Sequence, residues 1–342
     1  MKETKGNPAR YTIAFVLLTA AAGVVFACNL AFGSVNIPLR EVVDILFTGG
    51  AEGESHTLIM TKVRLPRALA ALGSGAALAV SGLLLQTFFN NPIVEPYVLG
   101  ISSGSSLFVG LVMLGGFTFG VRRMTPLGLF AGAFAGALLV MLVVIFAAKR
   151  VKSMVTLLVV GIMAGYVCSA ATNFMTAFAE REKIAGFVMW SMGSFSGFTW
   201  SAVGILYVIV LPFLILACIM AKPLNSLLLG DRYAVSMGVN IRMVRRMIIL
   251  ISSVLTAAVT AFAGPVSFIG LAVPHLCRML FGTSNNRVLL PAVAISGALM
   301  TELCDFAART VMAPADLPLS AVTSVIGAPI VVYLLIRRDN TI

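Results

Sequence analysis

Residues Pro66–Phe88 read PRALAALGSGAALAVSGLLLQTF, with Arg67 near the start as the only charge. A membrane crossing takes roughly 20 apolar residues at about 1.5 Å each, and this run is long enough. It has no alternation of apolar and polar residues, so it reads as a helix rather than a barrel strand. Nine further runs resemble it: Tyr11–Gly33, Tyr97–Phe119, Thr125–Ala147, Met154–Phe178, Thr199–Met220, Met247–Ala263, Pro265–Phe281, Val288–Ala308 and Pro318–Ile336. The seventh and eighth are the weakest, because Gly264-Pro265 divides one long apolar stretch.

The composition agrees. Of 342 residues, 59% are hydrophobic and 11% charged, and the mean hydropathy is +1.02. A soluble domain carries about 25% charged residues, so too little charge is present to solvate a water-facing surface. An ordinary soluble enzyme, a disordered chain and a nucleic-acid binder are excluded on that ground. The expected fold is all-α and polytopic: one transmembrane domain over 1–342, ten spans, and both termini cytoplasmic.

The formal charge of +11 reports orientation. With the N-terminus inside, the inner segments hold Lys2, Lys5, Arg10, Lys149, Arg150, Lys152, Lys222, Arg232, Arg242, Arg245, Arg246, Arg278, Arg287, Arg337 and Arg338. They hold only four acids, Glu3, Glu95, Asp231 and Asp339. The other basic and acidic residues cancel, as the positive-inside rule requires. Tyr11–Gly33 is too long for a signal-peptide core and reads as a retained span. The cysteines Cys28, Cys168, Cys218, Cys277 and Cys304 are scattered, and His56 and His275 stand far apart. No metal-ligand spacing occurs, and the cysteines read as small packing residues.

Two connections are too elaborate for plain links. The outer one, 34–62, contains Pro38 followed by Leu39, Val42, Val43, Leu46 and Phe47 at helical spacing, which predicts a short amphipathic helix on the outer surface. The inner one, 222–246, predicts two short helices. Gly230 closes the first in a left-handed conformation, Asp231 caps the second, and Gly238 is a further stop. Apolar residues on such helices suggest a protein-docking surface, with packing beneath the bundle as the plainer reading.

Gly161, Gly165, Ser169, Thr172 and Thr176 make one face of the fifth span small and weakly polar. Such a face either packs closely against a neighbour or borders a passage, and the residues alone favour packing. Glu302, Asp305 and Arg309 share one face near the outer end of the ninth span, where Asp305 and Arg309 are spaced to pair. Intramembrane charges are functional candidates, and a structural ion pair fits equally well. No GxxxxGK[ST] or HExxH motif is present, so energy for uphill transport would come from an ion gradient or from a separate ATPase.

Several blocks together resemble the permease subunits of type II ABC importers for iron-siderophore complexes, haem and cobalamin. They are Arg64-Leu65-Pro66-Arg67 through Leu99-Gly100-Ile101-Ser102, then Gly264-Pro265 through Cys277-Arg278, then Leu317-Pro318-Leu319 through Gly327-Ala328-Pro329. Leu229, Gly230, Asp231, Ala234 and Gly238 resemble the family's ATPase-coupling segment. The resemblance implies a permease homodimer in the bacterial cytoplasmic membrane, two ATP-binding subunits that use ATP and Mg, and an extracytoplasmic binding protein. This chain itself would hold no metal or cofactor. Arg64, Arg67 and Arg309 match outer arginines that meet acidic residues of the binding protein, whereas Arg122 and Arg123 read as snorkelling to headgroups. Asn91 and Ile93, with Pro92 between them, match a loop that closes the inner end of the pathway. On this reading the small face of the fifth span would line the passage. The segment Gly282–Arg287 departs from the family by lacking an acidic residue ahead of Arg287. The cargo implied is an intact metal chelate moved by alternating access. An ion-gradient transporter using Glu302 and Asp305 is the alternative.

Overall fold

The computed structural model describes residues 8–33, 35–49, 55–115, 126–151 and 153–339. Lys2, Glu3, Lys5, Ser34, Phe119, Arg122, Arg123, Thr125 and Lys152, all named above, lie outside the described residues. Among those described, every regular element is a helix, as expected where the backbone must satisfy its own hydrogen bonds in lipid.

The first helix, α1 (Pro8–Ala31), is followed by α2 (Leu39–Thr48), the expected surface helix. Pro38 precedes α2, and Gly49, at φ 86°, ends it. Val42 and Ile45 turn inward onto Leu30, Ala31, Ile37, Met60 and Ala68, while Leu39, Val43, Leu46 and Phe47 stay exposed. A short α3 (Ser55–Ile59) passes through a π-helical turn, Met60–Arg64, into α4 (Leu65–Phe89).

Next come α5 (Ile101–Met113), α6 (Pro126–Arg150), α7 (Met154–Phe178), α8 (Arg181–Ser191) and α9 (Trp200–Ile219). On the side that the basic residues assign as inner lie α10 (Ala221–Leu228) and α11 (Asp231–Ser236). The chain closes with α12 (Ile241–Ala263), α13 (Ile269–Phe281), α14 (Asn286–Thr310) and α15 (Leu319–Asp339). The outer helix α8 has no counterpart in the sequence reading. Its apolar residues do not fall on one sustained face, so periodicity gives it no signal.

Ten of these helices fall in order on the ten apolar runs. Seven are long and apolar enough to cross a membrane, and α5, α13 and the apolar part of α15 are shorter. At about 1.5 Å per residue, the 13 residues of α5 and of α13 fall well short of the roughly 30 Å hydrocarbon core. Gly100 before α5 and the Gly264–Phe268 segment before α13 explain the shortening. Each breaks what reads in one dimension as a continuous run.

Burial sorts the spans. The stretch holding α4 is 83% buried and α12 is 78% buried, against 11% for α1. So α4, which packs on α14, α12, α13 and α9, is the central post, and α1 lies at the periphery of the chain. Glycine permits this packing. A Cβ on Gly82 would stand 1.9 Å from the Gly270 carbonyl oxygen, and one on Gly75 would stand 2.3 Å from that of Gly297. Helix backbones touch at both crossings, the close approach that small residues allow in lipid.

Candidate functional site

At the outer end, three arginines and three acids meet. Arg67, on α4, donates from Nε to both oxygens of Asp305 at 3.0 Å and from Nη2 to Oδ1 at 2.9 Å, and its Nη1 reaches Asp316 at 2.7 Å. Arg64 donates to the carbonyls of Leu30 at 2.6 Å and Ala31 at 2.9 Å, and also to that of Val35. Arg309 donates to the backbone and side-chain oxygens of Asn29 at 2.5 and 2.6 Å. The Asn29 amide in turn donates to Glu302 Oε2 at 3.1 Å. The network therefore ties α1, α4, α14 and the segment after α14 together.

These contacts show how the outer charges are held. Arg64, Arg67 and Arg309 are 4%, 8% and 9% exposed in this chain, and each is held by internal acceptors. Burying a guanidinium costs several kcal/mol unless it is paired and hydrogen-bonded, and the internal carboxylates and carbonyls supply those bonds. Asp305 pairs with Arg309, four residues on, at 4.0 Å as its spacing predicts, and more closely with Arg67.

Toward the inner end, the loop after α4 is pinned from within. Asn90 adopts φ 47° and closes α4. The Asn91 side-chain oxygen accepts from the Ile93 N–H at 3.1 Å, leaving Ile93 exposed, Pro92 half-buried and Asn91 on the surface. Just beyond, Glu95 Oε1 accepts from the Phe268 N–H at 2.5 Å, and the Tyr97 hydroxyl accepts from the Val266 N–H at 2.9 Å. Burial pushes the Glu95 carboxyl up, and the Phe268 N–H opposes that shift. Phe268 holds φ 67°, which is strained for a residue with a side chain. Two broken segments thus brace each other, and the sequence reading missed Glu95 and Tyr97 as the braces. A carboxylate and a phenol beside the two interruptions were the available signal.

The small face of α7 packs. Gly161 lies against Leu99 and Gly165 against Gly100. Ser169 reaches the Ser103 hydroxyl at 3.3 Å, Thr172 is buried, and Thr176 bonds back to the Thr172 carbonyl. These residues seat α7 on α5 and on the turn before it, the packing that their size alone favours. The opposite face of α7 is the open one, with Met163, Tyr166, Val167 and Phe174 exposed.

The two short helices form as expected, with two corrections. Leu229 rather than Gly230 closes α10, with Gly230 extended at φ 101° and ψ 156° ahead of α11, and the Asp231 side chain makes no cap. Asp231 instead pairs with Arg245 of α12 at 2.7 Å. The φ/ψ of Gly230 belongs to a region essentially confined to glycine. Ala234 is fully buried beneath the segment, Gly238 turns the chain at φ 77°, and Leu229, Tyr233, Val235 and Met237 are exposed. Helix α10 is clamped to the start of α14: the Asn225 amide donates to Asn285 Oδ1 at 2.7 Å, and Asn225 Oδ1 accepts from the Asn286 N–H at 2.7 Å. Asn285 also caps α14 through the Arg287 N–H, which answers the missing acidic residue ahead of Arg287. A single helix, α14, therefore runs from the inner clamp to the outer ionic network.

Comparison with known proteins agrees with this geometry. The model of the FecCD transport family matches residues 19–337. The hemin transport system permease protein HmuU of Yersinia pestis is 37% identical over 312 residues, covering 90% of this chain and 92% of the relative. The vitamin B12 import system permease protein BtuC of Salmonella typhi is 36% identical over 287 residues, covering 84% and 85%. Among solved structures, a metal-chelate type ABC transporter in an inward-facing conformation superposes with a TM-score of 0.83 at 30% identity, covering 95% and 99%. PsaBC of Streptococcus pneumoniae, at TM-score 0.56 and 13% identity, shares the fold alone. On its sequence, its fold and these likenesses, the chain is a multi-pass membrane permease belonging to the FecCD transport family.

Proposed function

We propose that this chain is the membrane-spanning subunit of an ATP-driven importer in the bacterial cytoplasmic membrane, moving an intact metal chelate inward by alternating access. In this reading ten helices span the bilayer with both termini cytoplasmic, and two copies enclose the pathway. Two separate subunits hydrolyse ATP with Mg, and an extracytoplasmic protein delivers the cargo. The observation that carries the proposal is the inner segment from Leu229 to Gly238, whose exposed Leu229, Tyr233, Val235 and Met237 offer an apolar contact in a chain without a phosphate-binding loop of its own. The clamp through Asn225 makes that segment a handle on α14.

The outer arginines enter in altered form. Arg64, Arg67 and Arg309 hold the docking platform rigid, while the exposed Arg40 and Lys62 supply the charge that steers an acidic partner. Asn91, Pro92 and Ile93 form the inner gate. The passage is lined by the open face of α7, around Tyr166 and Asn173. The cargo is an iron-siderophore or haem, with cobalamin as the alternative, since relatives named for hemin and for vitamin B12 are nearly equally similar. Among the described residues, no cluster of His, Cys, Asp and Glu could hold a metal ion, which favours a whole chelate over a bare ion. Transport on an ion gradient through Glu302 and Asp305 has less support, because Asp305 is taken by Arg67.

Reconstitution tests the proposal. Uptake into sealed vesicles should require the permease, its ATPase, the binding protein and ATP together. Uptake by the permease alone on an ion gradient would overturn it.

A further inference from the structure

A cavity of about 500 Å³ opens among the inner ends of α4, α6, α7 and α12. Its walls carry five cations: Lys149 and Arg150 at the end of α6, and Arg242, Arg245 and Arg246 at the start of α12. Its apolar side is Phe88, Leu157 and Ile249, all buried. Arg245 is paired with Asp231, and Lys149 lies over the Phe146 ring at 4.9 Å. Among the described residues, Arg150, Arg242 and Arg246 make no ion pair with any acid. Cations gathered this closely repel one another, and the arrangement calls for an anion.

The position of the cavity says which kind. It sits where four long apolar helices end, the level at which inner headgroups would lie. Leu139, Leu142, Val143 and Phe146 form an exposed apolar stripe on α6, and at helical spacing that stripe runs into Lys149 and Arg150. An acyl chain laid along it would bring a headgroup phosphate to the cavity mouth. We propose that this cavity is a binding site for an anionic phospholipid of the inner leaflet, the phosphodiester held by Arg150, Arg242 and Arg246 and the chains packed on α6. Basic pockets between membrane helices on the cytoplasmic side bind such headgroups. Because Arg245 of the same cluster holds Asp231 of α11, a bound lipid would sit directly against the inner handle.

The full-length permease, purified in detergent and titrated with phosphatidylglycerol or phosphatidylcholine under native mass spectrometry, tests this. Phosphatidylglycerol should bind selectively, and the triple variant R150Q/R242Q/R246Q should lose affinity by about fivefold per arginine, roughly a hundredfold altogether. R150K/R242K/R246K should restore most of the binding, which separates lost charge from lost fold. Inorganic phosphate at millimolar concentration should leave the lipid bound. Equal retention of both lipids would overturn the proposal, as would equal binding by the wild type and the glutamine variant. Displacement by inorganic phosphate would point instead to a soluble anion site and would also overturn it. So would a wild type indifferent to lipid whose glutamine variant fails to assemble with its ATPase in phosphatidylcholine discs, since the cluster would then be a protein contact.

Discussion

The two ends of this permease use the same side chain in opposite ways. At the outer end Arg67 and Asp305 have side chains only 10% and 3% exposed, and every guanidinium in the network is spent on an internal acceptor. At the inner end Arg245 and Asp231 are 32% and 55% exposed, and neighbouring arginines face no carboxylate among the described residues. Burial makes the first set structural, since an unpaired charge there is prohibitive. Exposure makes the second set available, because a solvated pair contributes little and each free cation keeps its field. An arginine's role in this fold therefore follows from its depth, and a count of charges per side misses it.

Breaking the outer network should give the largest effect. Asp305→Ala leaves Arg67 buried with Asp316 as its remaining carboxylate partner, and losing one member of a buried pair costs about 3–5 kcal/mol. The unfolding midpoint in detergent should fall steeply, and an unchanged midpoint would dissolve the contrast between the ends. Gly82→Ala probes the post between them. The added Cβ meets the Gly270 carbonyl oxygen at 1.9 Å, so overpacking should cost about 1–3 kcal/mol, read in the same assay. Asn225→Ala removes the clamp from α10 to α14. Its stability cost should be about 1 kcal/mol, yet uptake per ATP hydrolysed should drop while the ATPase stays bound. Full coupling would show that α14 is not the connecting rod. The smallest effect belongs to Asp231→Asn, which removes an exposed pair worth about 0–1 kcal/mol and less at high salt. A loss as large as that of Asp305→Ala would mean that the inner face is far drier than its exposure indicates.

Much of the architecture was legible in one dimension. All ten apolar runs became helices, the surface helix formed after Pro38, and glycines at 230 and 238 turned the inner segment. The lengths of α5 and α13 were less legible, since an apolar run looks the same whether or not a glycine in it breaks the helix. Within the candidate site, two short helices formed where the 222–246 segment predicted them, but Asp231 pairs across to α12 instead of capping α11. The packing of the small face of α7 was legible from its residues alone. Helix α8 and the Glu95 and Tyr97 braces were not foreseen.

What the sequence determined by itself was local: which segments are apolar and helical, and where the chain must turn. Those follow from local composition, because transfer from water to lipid depends on each segment's own apolar surface and charge. Only the tertiary structure decided partnership. Arg67 and Asp305 lie 238 positions apart, and Asn225 and Asn285 lie 60 apart. Which charge is neutralised, and which helix face is covered, depends on through-space packing that no local pattern encodes.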